Sequence, residues 1–302
     1  MRHVEGSEKS GPNAPVPLYL HIPKCGGSTI ISVIYQQCGS SIRDHDRIKY
    51  WHRGVYFYPA GLFRRPSFRN PDVVKMLNRG DLTAVVGHFV FGIHKHVNKP
   101  FRYVTVLRSP VSRLLSLHDE LKAQNRIRTT FEKFILAPPF RTMENDQTRR
   151  ISGLQPVKQA DGELMLESAK KNLETHFGVV GITERMNETL CLIHRTFSWN
   201  RYYPYYPKNV TWKRTNPDSI SSDLMQLIAD RNSLDFRLYR FAEQLLEKAI
   251  RAEGPEFQHD LKQYNESIQN LVNQTDIESI DSMDSKKVHQ IVLDMINKGK
   301  IR

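Results

Sequence analysis

Two rhythms alternate along the chain. Short apolar runs at Val16 to Ile22, Leu82 to Val86, Arg102 to Leu107 and Phe177 to Ile182 have the length and β-branched content of strands buried on both faces. Between them the spacing turns helical. Ser28 to Cys38 brings Ile30, Val33, Ile34 and Cys38 onto one face. Ser109-Pro110 supplies an N-cap and a first-turn proline for a helix running to about Ala123. Gly162 to Leu173 is a further helical stretch, and Asp218 to Ala252 reads as one or two amphipathic helices. Strands alternating with helices predict an α/β fold, a central parallel sheet flanked by helices. Residues 1–15, polar and rich in Gly and Pro, read as a disordered lead-in. Residues 16–252 then form one domain, and 253–302 a polar helical C-terminal appendage that packs weakly.

Composition narrows the partners. Of 302 residues 39% are apolar, enough for one large core, and 44 Lys plus Arg against 32 Asp plus Glu give a formal charge of +12. Such a surplus fits nucleic acid, a membrane surface or a polyanionic small molecule. No run of eighteen apolar residues occurs, so no membrane span is expected, and the N-terminus lacks the apolar core of a signal peptide. Three cysteines, Cys25, Cys38 and Cys191, make neither a metal spacing nor an even disulfide framework, which suggests a reducing compartment and no metal.

The stretch "LYLHIPKCGGSTIISVI", residues 18–34, carries the first chemistry. A strand enters a double-glycine turn and leaves as a helix, so free N–H groups and the positive dipole end converge there. Lys24 adds a full charge, while Ser28 and Thr29 add hydroxyl donors. An ordinary strand-to-helix turn with a surface lysine fits the same letters. It is not G-x-x-x-x-G-K-[ST], because the lysine precedes the glycines. The second signal is "YVTVLRSPVSRLLSLHDEL", residues 103–121. Arg108 ends a strand, and Ser109, Ser112, Arg113 and Ser116 share a polar helix face, with Val111, Leu114, Leu115 and Leu121 turned to the core. A guanidinium and a serine on one side can grip a phosphate; a solvated amphipathic helix is the alternative. In "AVVGHFVFGIH", residues 84–94, His88 follows a strand directly, at the position where open α/β sheets bind ligands.

The loop "HIPKCGGST" resembles the 5'-phosphosulfate loop of sulfotransferases, in particular the branch of the heparan sulfate 2-O- and 6-O-sulfotransferases and their bacterial relatives. Cys25 stands where that family commonly has threonine. Arg108 and Ser116 keep the family's spacing for binding the 3'-phosphate of 3'-phosphoadenosine 5'-phosphosulfate (PAPS), with Ser109 in place of the usual aspartate. The likeness runs from Leu18 to about Phe241 and implies a P-loop-like sulfotransferase fold. It also implies in-line transfer of a sulfuryl group from PAPS, without a metal, to a hydroxyl or an amine. Lys24, Cys25, Gly26, Gly27, Ser28, Thr29, Arg108 and Ser116 would bind the donor. His88, lying between the two phosphate motifs, would be the base, and Lys24 would stabilise the leaving phosphate.

The remaining assignments follow the same resemblance. "NDQTRRISG" is similar to a family segment that puts Gln147 and Arg149 on the acceptor side or in bracing the pocket. Independently of the resemblance, His94 and His96 are nearby competitors of His88, expected on the exposed following segment as surface or acceptor-side residues. "YYPKNVTWKRTNP" is similar to a late basic loop, giving Lys213 and Arg214 as further phosphate contacts. The acceptor is expected to be a small natural product or a saccharide, with a heparan-type polysaccharide as the alternative. The expected setting is cytoplasmic for a full-length chain and the Golgi lumen for an ectodomain. A phosphoryl-transfer enzyme would need a Gly-Lys-Ser/Thr loop with a magnesium aspartate, which is not evident near the loop. A nucleic-acid module would need clustered basic residues with aromatic platforms, whereas the positive charge here is dispersed.

Overall fold

The computed structural model describes residues 14–38, 51–52, 54–58, 70–137, 143–154, 161–199, 202–205 and 220–273. Six strands form one sheet: β1 (Val16–Leu20), β2 (Trp51–His52), β3 (Val55–Tyr58), β4 (Ala84–Gly87), β5 (Phe101–Leu107) and β6 (Phe177–Ile182). Their order is β2-β3-β4-β1-β5-β6, with every neighbour parallel except the short β2–β3 hairpin at one edge. The sequence pattern missed that hairpin. The central strands are buried along their whole length, as their unbroken apolar runs require.

Helices α1 (Gly27–Gln37), α2 (Pro71–Leu77), α3 (Pro110–Ala123), α4 (Phe131–Leu136), α5 (Asp146–Ser152), α6 (Gly162–His176) and α7 (Met186–Thr196) fall between and after the strands. α8 (Ser222–Arg231), α9 (Ser233–Ala252) and α10 (Pro255–Asn273) complete the described chain. In α9, Leu234, Leu238, Ala242, Leu246 and Ile250 recur every four residues and bury one stripe. α10 differs from the expected loose appendage. Phe257, Tyr264 and Ile268 are buried in the same core as the sheet, so no packing boundary falls at 252. The lead-in 1–13 and residues 274–302 lie outside the described residues.

Arg113 departs from the expected polar face. On α3, Val111, Leu114, Leu115 and Leu121 do pack inward, against α4 and α8, but Arg113 is also wholly buried. Its Nη2 donates to the Met143 carbonyl (3.1 Å) and its guanidinium faces Asp146 and Asp235, both without exposed surface. Asp146 also accepts from Arg149 and from Arg150 Nε (2.8 Å). Burial pushes the Asp146 carboxyl up, but Arg150, Arg113 and Arg149 outweigh it and hold the group far below the usual carboxylate range. Asp235 accepts from both the N–H and hydroxyl of Thr148 and from the Gln147 N–H, although burial pushes its carboxyl upward. The cluster ties α3, α5 and α9 together through charge rather than apolar contact.

Removing one member of such a cluster leaves buried charge uncompensated. Asp146→Ala is expected to destabilise the fold by about 3–5 kcal/mol, read by urea denaturation; a loss under about 1 kcal/mol would show that the cluster is dispensable.

Candidate active site

β4, β1 and β5 are adjacent and parallel, so the residues that leave their C-terminal ends share one rim. His88 leaves β4, His21 to Gly27 leave β1, and Arg108 leaves β5. The loop after β1 is turned by two left-handed residues, Lys24 at φ 69° and Gly26 at φ 70°. The Lys24 conformation is unfavourable for a side-chain-bearing residue, and Arg108 Nη1 pins it by donating to the Lys24 carbonyl (3.1 Å). Thr29 and Ile30 give their N–H groups to the Gly26 carbonyl, leaving those of Gly27 and Ser28 at the open end of α1. A Cβ on Gly27 would stand 1.7 Å from His21 Nε2, and one on Gly26 would stand 2.3 Å from Met186 Cε. Gly27 is therefore required by close approach to the imidazole, whereas Gly26 faces only the flexible end of Met186 and is favoured by its left-handed backbone.

Arg108 is fixed through its backbone too. The Gln147 side chain accepts from the Arg108 N–H (3.0 Å) and donates to the Arg108 carbonyl (2.9 Å). Gln147 has no exposed surface, and these two bonds brace the Arg108 backbone. Arg149 turns to Asp146. Ser116 is half-buried on α3. Four residues on, Glu120 reaches Lys24 Nζ (3.2 Å), so that face of α3 looks onto the loop.

His88 and His21 form a pair. Their rings stack at 4.2 Å between centroids, and His88 Nδ1 lies 3.0 Å from the His21 carbonyl oxygen. A carbonyl can only accept, so Nδ1 carries the proton, and in the neutral ring Nε2 keeps a lone pair. Burial lowers the His88 pKa below the ordinary imidazole value; the Arg150 charge acts the same way, against the His21 carbonyl, Asp146 and Glu120. His21 is held well below that value by burial, His88, Arg150 and Lys24. Both shifts favour the neutral imidazole. The Arg150 Nη1, itself buried, has no hydrogen-bond partner among the described residues.

Three expected site residues fall elsewhere or are spent. Cys25 is wholly buried, gives its N–H to the Ile22 carbonyl and directs its thiol toward Gln147 Oε1 (3.6 Å) and the Pro23 carbonyl (3.8 Å). Burial pushes that thiol up to about 12, and the residue offers a ligand neither donor. His94 lies at the opposite end of the sheet. It packs on Phe91, Phe101 and His176, near the N-terminal ends of β5 and β6, and its Nδ1 shares a hydrogen bond with the Tyr103 hydroxyl (3.0 Å). There burial lowers its pKa to about 4. His96, on the same turn of 3-10 helix, shares that location. Lys213 and Arg214 lie outside the described residues. Sequence reasoning gave no role to His21, Glu120 or Arg150. The four-residue spacing from Ser116 was the available signal for Glu120.

A family model described as "Sulfotransferase family" matches residues 16–242. Human heparan-sulfate 6-O-sulfotransferase 2 is 29% identical over 204 residues, 55% of this chain and 33% of its own length. Zebrafish (Danio rerio) heparan-sulfate 6-O-sulfotransferase 1-B is 29% identical over 186 residues, 50% and 45% respectively. The chain thus spans less than half the length of these curated relatives. A crystal structure of a sulfotransferase from Alicyclobacillus acidocaldarius aligns over 77% of this chain and 96% of its own, at 15% identity and a TM-score of 0.42.

The wedge of His21 against Gly27 gives a direct test. Gly27→Ala is expected to force the imidazole out of its stack, costing about 1–3 kcal/mol and shifting the His88 ring resonances in NMR spectra. Unchanged stability and spectra would contradict the close approach.

Proposed function

The chain belongs to the sulfotransferase family, and on that premise we propose that it moves a sulfuryl group from PAPS to a saccharide hydroxyl. The observation that carries the reading is the 3.1 Å bond from Arg108 to the Lys24 carbonyl. It makes the two phosphate motifs, some eighty residues apart in sequence, parts of one rim. Lys24, the Gly27 and Ser28 N–H groups and the Thr29 hydroxyl would take the 5'-phosphosulfate; Arg108 and Ser116 would take the 3'-phosphate. A saccharide is favoured over a small natural product because the curated relatives act on heparan sulfate, as their names state.

In this reaction the acceptor oxygen bonds to sulfur as the bond from sulfur to the bridging phosphate oxygen breaks. His88 would receive the acceptor proton at Nε2, the nitrogen left with a lone pair by the His21 carbonyl. The charge that appears on the bridging oxygen would meet the Lys24 ammonium, a donor already in place where charge develops. His21 holds the tautomer, and Gln147 holds the strand end that carries Arg108.

With PAPS and 6-O-desulfated heparin, wild-type protein is expected to add mass corresponding to a sulfuryl group. His88→Ala should lose about 10²-fold or more of that turnover while binding 3'-phosphoadenosine 5'-phosphate (PAP) as wild type does. No transfer by wild-type protein to this or any other hydroxyl acceptor in a panel would sink the reading; full activity in the variant would remove His88 from it. The lowered His88 pKa sets the pH dependence. The base is active when neutral, so kcat/KM should hold its plateau down to below pH 6.5 and fall as the ring gains a proton. An acid limb centred above 6.5 would disagree.

A further inference from the structure

A carboxylate stands where the proposed reaction brings a polyanion. Glu120 Oε1 is 3.2 Å from Lys24 Nζ, and its side chain is 42% exposed while that of Lys24 is 22% exposed. Every other feature of this loop favours negative charge: the open N–H groups of α1, the Lys24 ammonium and Arg108. An acidic residue in direct contact with the ammonium opposes them. It also shields Lys24 from whatever anion arrives.

We infer that Glu120 is a positioning residue for Lys24: its carboxylate holds the ammonium while no donor is bound, yields it to the donor's phosphosulfate, and recaptures it as the bisphosphate product leaves. The inference rests on the sulfotransferase reading. It is built from the different mobilities of the two ends of Lys24. The backbone is fixed, with its carbonyl bound by Arg108 and its φ at 69°. The ammonium is a compact charge on a flexible four-carbon stem and can exchange one anionic partner for another without moving the loop. A half-exposed ion pair is weak enough for a competing anion to displace. Glu120 itself sits on a rigid base, since α3 is anchored by the buried Arg113 two turns earlier and by Leu117 and Leu121, the apolar residues nearest Glu120 on the helix. The carboxylate therefore stays close as the ammonium leaves, and it remains near the bound anion. Like-charge repulsion at that range weakens product binding and speeds release. Ser116, one turn earlier on the same face, keeps its neutral hydroxyl for the phosphate side.

The sign of the effect separates this role from a surface salt bridge that supports the fold. Losing a supporting contact would weaken PAP binding; losing a competitor strengthens it. In calorimetric titration of PAP, Glu120→Gln and Glu120→Ala are expected to bind about twofold to fivefold more tightly than wild type. Stopped-flow displacement should show correspondingly slower PAP release. Asp119→Asn is the control. It removes the same charge one residue away, where the carboxylate faces His118 Nδ1 at 3.5 Å instead of the loop, and should leave PAP affinity at the wild-type value. Unchanged or weaker PAP binding in both Glu120 variants overturns the inference, as does an equal gain in Asp119→Asn. Wild-type protein that fails to bind PAP would instead overturn the sulfotransferase reading beneath it.

Discussion

The rim depends on how Arg108 is held. Its strand end is clamped by an amide that satisfies both the N–H and the carbonyl of the residue, and its guanidinium reaches back to the loop after β1. Gln147 can do this because its own N–H is taken by Asp235 and because α5 is locked to α3 and α9 by the Arg113, Asp146, Arg150 and Asp235 cluster. A continuous set of polar contacts thus runs from the helical layer to the left-handed turn at Lys24. Such a network is costly to bury and specific once buried. Apolar packing of the sheet supplies the bulk of the core; the charged cluster sets where the helices stop relative to the strand ends.

Legibility in the sequence followed the kind of force at work. β1, β5 and β6 were readable because strands buried on both faces leave uninterrupted apolar runs, and α3 because Ser109-Pro110 marks its start. The β2–β3 hairpin was not, since pieces of two and four residues at a sheet edge carry almost no periodicity. α5 escaped for a different reason. Asp146, Gln147, Thr148, Arg150 and Ser152 are all buried, so its inward face reads as polar. Arg113 was placed on the polar face of α3, away from the core, by the same rule. Polarity patterns report exposure only where buried charges are absent, and here they are concentrated behind the site. α10 was the converse: Phe257, Tyr264, Ile268 and Leu271 form a buried stripe inside a helix whose overall composition is polar.

The rim was legible in its outline and obscure in its wiring. Lys24, Arg108 and His88 were singled out by position just past strand ends, which topology brings to one rim, and Ser116 by its eight-residue spacing from Arg108. Whether a side chain on the rim faces inward or outward depends on neighbours that sequence spacing does not order. Cys25 occupies a loop position beside two glycines, yet its N–H and thiol are both turned inward. His94 is only six residues from His88, but the chain between them descends to the opposite end of the sheet, where Tyr103 holds the ring.

The His21–His88 pair shows how one constraint sets both geometry and protonation. Gly27 lacks the Cβ that would exclude the His21 ring, which lets that ring lie between the first turn of α1 and His88. The same residue's carbonyl, at the end of β1, takes the His88 Nδ1–H. Burial under this stack, with Arg150 behind it, favours neutral imidazole on both residues. A protonated His88 would keep its bond to the carbonyl but would face the Arg150 charge and lose its hydration. Stability and the proposed role of His88 as base therefore ask the same thing of this corner of the sheet: a neutral ring with its Nδ1–H given to the His21 carbonyl.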